Sequence, residues 1–139
     1  FNAEAWDFNY GEPFDGAVMD RIVRLAQPDY IRGLTYLGGE PFDPHNQAGL
    51  LELSKKLRAA YPQKSIWSFT GYVYGKNLPQ VPGVTDALLA SLDVLVDGRF
   101  VRELKDISLQ FRGSRNQRVI DMNKTRETGT ITIWDKLRR

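Results

Sequence analysis

Hydrophobic residues recur three or four positions apart in three segments of the chain, and this spacing predicts three helices. The first helix is AVMDRIVRLAQ at 17–27, where Asp15 is a candidate N-cap and Pro28 ends the helix. The second lies within DPHNQAGLLELSKKLRAAYP at 43–62, with Asp43 as its N-cap. The third, TDALLASL at 85–92, is short and is predicted to be capped by its own first residue, Thr85.

Five short runs rich in β-branched and aromatic residues predict strands. Three of them alternate with the helices: GLTYL at 33–37, SIWSFT at 65–70 and DVLVDG at 93–98. Two further candidates, QRVIDM at 117–122 and TITIW at 130–134, follow in the C-terminal part. Because strands and helices alternate, the pattern predicts parallel βαβ units with right-handed crossovers, and hence an α/β fold in a single domain spanning 1–139.

Composition narrows the function classes further. The 139 residues are 42% hydrophobic and 26% charged, which is ordinary for a globular protein, and no apolar run approaches the length that spans a bilayer. The sequence contains no cysteine, so neither a disulfide nor a thiolate metal site is formed within these residues. The only histidine, His45, is predicted to be a surface residue rather than a metal ligand, while Trp67 and Trp134, like Trp6, are predicted to pack in the core.

The net charge of +2 conceals an asymmetry along the chain. Residues 1–98 carry eight basic and twelve acidic side chains, whereas residues 99–139 carry eleven basic and five acidic ones. This basic C-terminal segment of the same domain predicts a surface that meets an anionic partner, whether protein, nucleotide or nucleic acid. A solvated basic face without a partner explains the charge equally well.

Three predicted strand ends carry unusual residues: Gly38-Gly39-Glu40-Pro41, Thr70-Gly71-Tyr72 and Asp97-Gly98-Arg99. In a parallel sheet these ends should lie side by side on one edge, where α/β proteins bind ligands. Paired glycines let backbone approach a ligand closely, and their carbonyls together with Glu40 would suit an ammonium group. The alternative is a tight strand-to-helix turn with an incidental acid.

The segments GLTYLGGEPF, IWSFTGY, DVLVDGRF and FRGSRNQRVIDM occur in this order over residues 1–122, and together they resemble the activating proteins of anaerobic ribonucleoside-triphosphate reductase. This family belongs to the radical S-adenosylmethionine superfamily. The resemblance implies an open, partial (βα) barrel, a cytoplasmic enzyme that does not bind membranes, and the reductase as its protein substrate.

The resemblance also bears on the missing cysteines. In the family a C-x3-C-x2-C motif binds a 4Fe–4S cluster, and an aromatic-Asn-x-x-x-Trp segment follows, which FNAEAW at 1–6 matches. The chain is therefore expected to lack the first strand and the cluster loop, and to be inactive in this form. In the family, the cluster supplies one electron that cleaves S-adenosylmethionine to methionine and a 5′-deoxyadenosyl radical, and the radical takes a hydrogen atom from a glycine of the reductase. No residue of this chain is implied as an acid, base or nucleophile.

The resemblance assigns contacts residue by residue. The backbone at Gly38 and Gly39 is implied to hold the methionine amino group with Glu40 beside it, and Phe1 to lie near the adenine. Thr70 and Asp97 are the remaining candidates for cofactor contacts.

The RGSRNQR segment is predicted to bind a partner through Arg112, Arg115, Asn116 and Gln117. The alternative is that it forms a stabilising turn before a strand. If no cofactor binds, the basic tail predicts a protein-binding module. Nucleic acid is a less expected partner, because the arginines lie on no single helix and match no known nucleic-acid-binding motif.

Overall fold

The computed structural model describes residues 16–37, 39–109 and 111–134, and these form one sheet with helices. The four strands are β1 (Gly33–Tyr36), β2 (Ser65–Phe69), β3 (Val94–Asp97) and β4 (Arg118–Asp121). The helices are α1 (Gly16–Leu25), α2 (Pro44–Ala60), α3 (Thr85–Ala90) and α4 (Met122–Thr128), with a 3₁₀ turn at Arg102–Leu104. The predicted α/β class is confirmed.

The sheet has the strand order β1-β2-β3-β4. Strands β1, β2 and β3 run parallel, as the alternating pattern predicts, with Leu34 beside Ile66 and Ser68 beside Leu95. Strand β4 runs antiparallel to β3, with Asp97 opposite Arg118. The chain between these two partners therefore leaves and re-enters the sheet at the same edge. The residues described there, 98–109 and 111–117, form a long loop, and residues 98–117 are named here the edge loop.

One face of the sheet is covered by the helices, and the main core lies between them. Ile66, Leu95 and Ile120 point to this face and pack with Leu53 and Leu57 of α2, and all five are essentially inaccessible to solvent. Helix α2 begins as predicted, because the Asp43 side chain accepts a hydrogen bond from the His45 backbone N–H and Pro44 opens the first turn. The capping role of Asp15 lies outside the described residues.

Two predictions about individual elements are wrong, and one element was not predicted. Thr85 is not an N-cap: it is the first residue of α3, and its hydroxyl accepts from the Val81 N–H and bonds the buried Gln47 amide instead. TITIW does not form a strand within the described residues, where it makes only an isolated bridge between Ile133 and Ile120. Helix α4, which lies between β4 and the TITIW segment, was not predicted. Asp121 caps this helix by accepting a hydrogen bond from the Lys124 N–H.

The opposite face of the sheet carries a smaller apolar cluster. Val96 and Val119 pack there with Trp67, Phe69 and Trp134, the last three only partly buried. The two tryptophans therefore pack against other apolar residues as predicted, but on the face of the sheet opposite the main core. Trp6 lies outside the described residues. None of the helices in the described ranges is long and apolar enough to cross a bilayer. Closure of this sheet into a partial barrel stays a prediction.

Candidate functional site

The carboxyl ends of the three parallel strands meet at one edge of the sheet, as the sequence predicts. After β1, the Glu40 carboxylate bonds Thr70 and Gly71, which follow β2. After β3, the Gly98 N–H donates to the Tyr72 carbonyl at 2.8 Å. Hydrogen bonds thus join all three strand ends, and they define the candidate site.

Glu40 is the centre of this network. Its Oε2 accepts from the Phe42 N–H at 2.9 Å and from the Thr70 hydroxyl at 2.7 Å, and its Oε1 accepts from the Gly71 N–H at 2.7 Å. The residue has a positive φ of 31°, which is unusual for a residue with a side chain. The carboxylate is therefore directed at protein donors, and it ties the end of β1 to the end of β2.

The glycine turn before Glu40 is held by α2. The Asn46 side-chain amide donates to the Gly39 carbonyl and to the Glu40 carbonyl, both at 3.0 Å, and the Asp43 N–H also donates to the Glu40 carbonyl. Gly39 itself is exposed to solvent. Gly38 and Phe1, the other predicted contacts in this region, lie outside the described residues.

Thr70 and Asp97 are both buried at the edge, with 5% and 1% of their surface exposed. Thr70 uses its hydroxyl to donate to Glu40 and to accept from the Tyr72 N–H. Asp97 accepts from Nε and an NH2 group of Arg118 and from the Tyr74 N–H. The paired Asp97 side chain raises the pKa of Arg118 above its ordinary value. Both predicted site residues thus bind protein groups and fix the loops that follow β2 and β3.

The four residues predicted to bind a partner divide into two groups. Gln117 accepts from the N–H groups of Gly113 and Ser114 and donates to the Gly98 carbonyl, while Asn116 donates to the Arg99 carbonyl at 2.8 Å. Arg112 donates to the Gln117 carbonyl. These three side chains hold the edge loop together, as the stabilising-turn alternative expects, whereas the exposed Arg115 contributes its backbone N–H, which donates to the Leu104 carbonyl.

An apolar groove of about 440 Å³ lies on the open face of the sheet beside the site. Trp67, Phe111 and Trp134 form an aromatic cluster at the groove, with ring centroids 4.9–5.6 Å apart. Phe111 comes from the edge loop with φ 64° and remains about half exposed. The groove is lined by residues of β1, β2, the residues flanking them and the edge loop: Arg32, Gly33, Leu34, Thr35, Leu37, Ser65, Trp67, Phe69 and Phe111.

Sequence reasoning missed Asn46 and gave Phe111 no role in the cofactor site. Asn46 lies three residues after the Asp43 cap, and that position predicts only the first turn of a helix. Phe111 adjoins the arginine-rich segment, where the basic residues dominate the pattern. Only the fold places Asn46 against the glycine turn and Phe111 against Trp67.

The described residues contain no group of three or more His, Cys, Asp or Glu side chains arranged to hold a metal ion. His45 lies at the surface as predicted, with its side chain 96% exposed at the start of α2.

Comparison with known proteins identifies the family. A family model described as a 4Fe-4S single cluster domain matches residues 1–120. The anaerobic ribonucleoside-triphosphate reductase-activating protein of Escherichia coli K12 is 38% identical over 119 residues, 84% of this chain and 75% of that protein. The proteins of the same name from Vibrio cholerae and from phage T4 are 35% and 31% identical, covering 84% and 86% of this chain and 74% and 72% of theirs.

No solved structure matches the chain. The curated relatives and the family model agree with each other over most of its length. The chain therefore belongs to the family of anaerobic ribonucleoside-triphosphate reductase-activating proteins.

Proposed function

We propose that this chain is part of a radical S-adenosylmethionine enzyme that generates a glycyl radical on anaerobic ribonucleoside-triphosphate reductase. The names of its relatives and the 4Fe-4S family model support the activating role. The observation that carries the proposal is that hydrogen bonds join the carboxyl ends of three parallel strands beside an aromatic groove. Ligands of α/β proteins bind at this position in the fold.

The residues present do not fit an iron–sulfur cluster. The 139 residues include no cysteine, and the described part of the chain offers no alternative cluster of metal ligands. Since such clusters are held by cysteine thiolates, we propose that the ligands come from outside these 139 residues and that this chain alone is inactive.

The described residues do fit a ligand with one polar end and one aromatic end, as S-adenosylmethionine has. The exposed peptide at Gly39 offers backbone groups to the amino-acid end. Gly38 remains a contact proposed from the family resemblance alone. Leu37 connects this turn to the aromatic groove, where Trp67 and Phe111 offer surfaces for an adenine ring. When bound, S-adenosylmethionine supplies the radical chemistry, and the protein orients it and excludes water.

The family resemblance also implied direct cofactor contacts for Glu40, Thr70 and Asp97. Their hydrogen bonds favour a different contribution for the side chains, since each one binds protein groups at the edge. We propose that these three residues position the backbone that meets the cofactor. Phe1 remains a proposed neighbour of the adenine.

The decisive experiment measures radical formation directly. The protein expressed from its complete gene, with a reconstituted cluster, is mixed anaerobically with its reductase, a reductant and S-adenosylmethionine. Electron paramagnetic resonance should show a glycyl-radical doublet on the reductase that depends on S-adenosylmethionine. A protein that carries its cluster and binds the reductase but never produces this signal would refute the proposed function.

A substitution at the glycine turn tests the cofactor site itself. Gly39→Val adds a branched side chain beside the peptide proposed to meet the methionine end, so binding of S-adenosylmethionine to the cluster-loaded protein should weaken by about tenfold or more, equivalent to about 1.4 kcal/mol. Isothermal titration calorimetry measures the change. Gly16→Val on α1 is the matched control, because an added Cβ there meets no described atom within 4 Å apart from its chain neighbours and the backbone of its own helix. Equal affinities for the two variants would remove Gly39 from the site.

A further inference from the structure

The edge loop combines exposed apolar side chains with positive charge. Ile107 is 92% exposed and Phe100 is 49% exposed, and both lie in this loop. Residues 98–117 also contain five basic and two acidic side chains, a net charge of +3. Apolar residues this exposed, when surrounded by charged ones, are typical of protein interaction sites.

The loop is ordered by its own hydrogen bonds. Lys105 forms a bridge with Ser114, the Asp106 N–H donates to the Gly113 carbonyl, and the Arg115 N–H donates to the Leu104 carbonyl at 3.0 Å. These bonds join the outgoing and returning halves of the loop. Its exposed side chains are therefore presented from a preorganised backbone, which lowers the entropic cost of binding.

The same bonds bring the basic residues together. Arg115 lies beside Leu104, one residue from Lys105 and two from Arg102, and all three basic side chains are exposed. Of the acidic residues, Asp106 is hydrogen-bonded to Ser108, which together with the nearby positive charge of Arg115 lowers the pKa of the aspartate, and Glu103 is exposed. The two acids offset part of the positive charge, and the loop as a whole keeps a net charge of +3.

The loop also lies at the same edge of the sheet as the candidate site. It begins at Gly98, whose N–H binds the Tyr72 carbonyl, and it ends just before Arg118 of β4, which binds Asp97 and the Tyr74 carbonyl. A partner bound to the loop would therefore lie beside the three strand ends.

We infer that Phe100, Arg102, Lys105, Ile107 and Arg115 form the docking patch for a protein partner whose surface is acidic around an apolar recess. Ile107 fills the recess, and the basic residues pair with the acidic rim. This inference rests on the proposed function, under which the partner is the reductase. It assigns partner binding to the apolar side chains of Phe100 and Ile107 and to Arg115. Asn116 and Gln117 are not assigned to it, because their side chains form hydrogen bonds within the loop.

Binding of the full-length protein to its reductase, measured by surface plasmon resonance, tests the patch. Ile107→Glu and Arg115→Glu should each weaken binding by about tenfold or more. Tyr30→Glu and Lys55→Glu are matched controls, because Tyr30 is 81% exposed before the amino end of β1 and Lys55 is exposed on α2. Both controls should bind like the wild type.

The outcomes separate this inference from the proposed function. If the wild type generates the glycyl radical but the patch variants bind the reductase as the controls do, the docking patch is wrong and the proposed function stands. If the wild type binds the reductase through the patch but generates no radical, the patch stands and the proposed function fails. Loss of binding to a 20-nucleotide single-stranded RNA in Arg115→Glu, with reductase binding unchanged, would identify a nucleic-acid surface and overturn the inference.

Discussion

Glu40 shows how a single side chain can serve a site without facing its ligand. Its sequence position after two glycines suggests a negative charge for an ammonium group. In the structure the carboxylate accepts from Phe42, Thr70 and Gly71, and its backbone carbonyl accepts from Asn46. A carboxylate with three protein donors is a rigid connection, because releasing it would leave charge and donors unpaired in a partly buried place.

A double-mutant cycle measures this connection. Glu40→Gln keeps the shape of the side chain but removes its charge, and Thr70→Val removes the hydroxyl donor. Each variant should lower the free energy of unfolding by about 1–3 kcal/mol, the cost of leaving a partly buried hydrogen-bonding group unpaired. The double variant should lose less than the sum, with a coupling energy of about 0.5–3 kcal/mol. Denaturant unfolding provides the values.

The exposed Glu52 on α2 provides the control, and Glu52→Gln should change stability by less than about 0.5 kcal/mol. Strictly additive losses at positions 40 and 70 would show that the carboxylate and the hydroxyl are not connected.

At the scale of elements, the pairing of β1 with β2 depends on a residue without a side chain. Gly33 lies beside Ser65 at the start of both strands, and a Cβ added to it would lie 1.8 Å from the Ser65 carbonyl oxygen. No real side chain tolerates this distance to a backbone atom. The glycine therefore allows the close approach that brings β1, and the Gly39 turn after it, into register with the end of β2.

Gly33→Ala should therefore be destabilising, by about 1–3 kcal/mol as for other overpacked positions. Thermal unfolding followed by circular dichroism measures the loss. Gly16→Ala on α1 is the matched control and should cause no loss, because alanine is the better helix former and its Cβ meets no described atom within 4 Å apart from its chain neighbours and its own helix backbone. A Gly33→Ala protein as stable as the control would show that the strands separate easily at this position.

At the scale of the whole molecule, Asp93 connects the sheet to two helices. Its carboxylate accepts from Arg58 on α2 and from the Ile66 N–H on β2, both at 2.8 Å, and from Asn123 on α4 at 3.0 Å. Burial raises the pKa of Asp93, but the donors Asn123, Ile66 and Arg58 outweigh it and hold the pKa below its ordinary value of 3.8. The folded protein therefore favours the ionised aspartate more than the unfolded chain does.

This difference predicts how stability depends on pH. Because the folded pKa is lowered, the stabilisation by Asp93 is present above the ordinary pKa and is lost as pH falls through the lower, folded value. Asp93→Asn should be less stable than the wild type by about 1–3 kcal/mol at pH 7. This difference in the free energy of unfolding should narrow below about pH 4, near the ordinary pKa of an aspartate.

Urea unfolding at pH 7, 5, 4 and 3 measures the gap. The exposed Asp29, changed to asparagine, is the control and should stay within about 0.5 kcal/mol of the wild type at pH 7. A gap that stays constant down to pH 3 would contradict the linkage to Asp93 ionisation.

The sequence alone determined the features that depend on neighbours along the chain. The spacing of Leu50, Leu53 and Leu57 predicted α2, and Asp43 predicted where this helix begins. The alternation of strands and helices predicted that three strand ends lie at one edge. These features follow from helix and strand periods and from the direction of parallel strands, which local residues specify.

Only the tertiary structure decided where the polar groups of those strand ends point. Glu40 and Thr70 are hydrogen-bonded although 30 positions separate them in the sequence. Asp97 and Arg118 are hydrogen-bonded across 21 positions. The antiparallel return of β4, and the packing of Phe111 against Trp67, depend in the same way on contacts between distant segments. A buried polar group bonds whichever partner the packed fold brings within reach, and that choice cannot be read from local spacing.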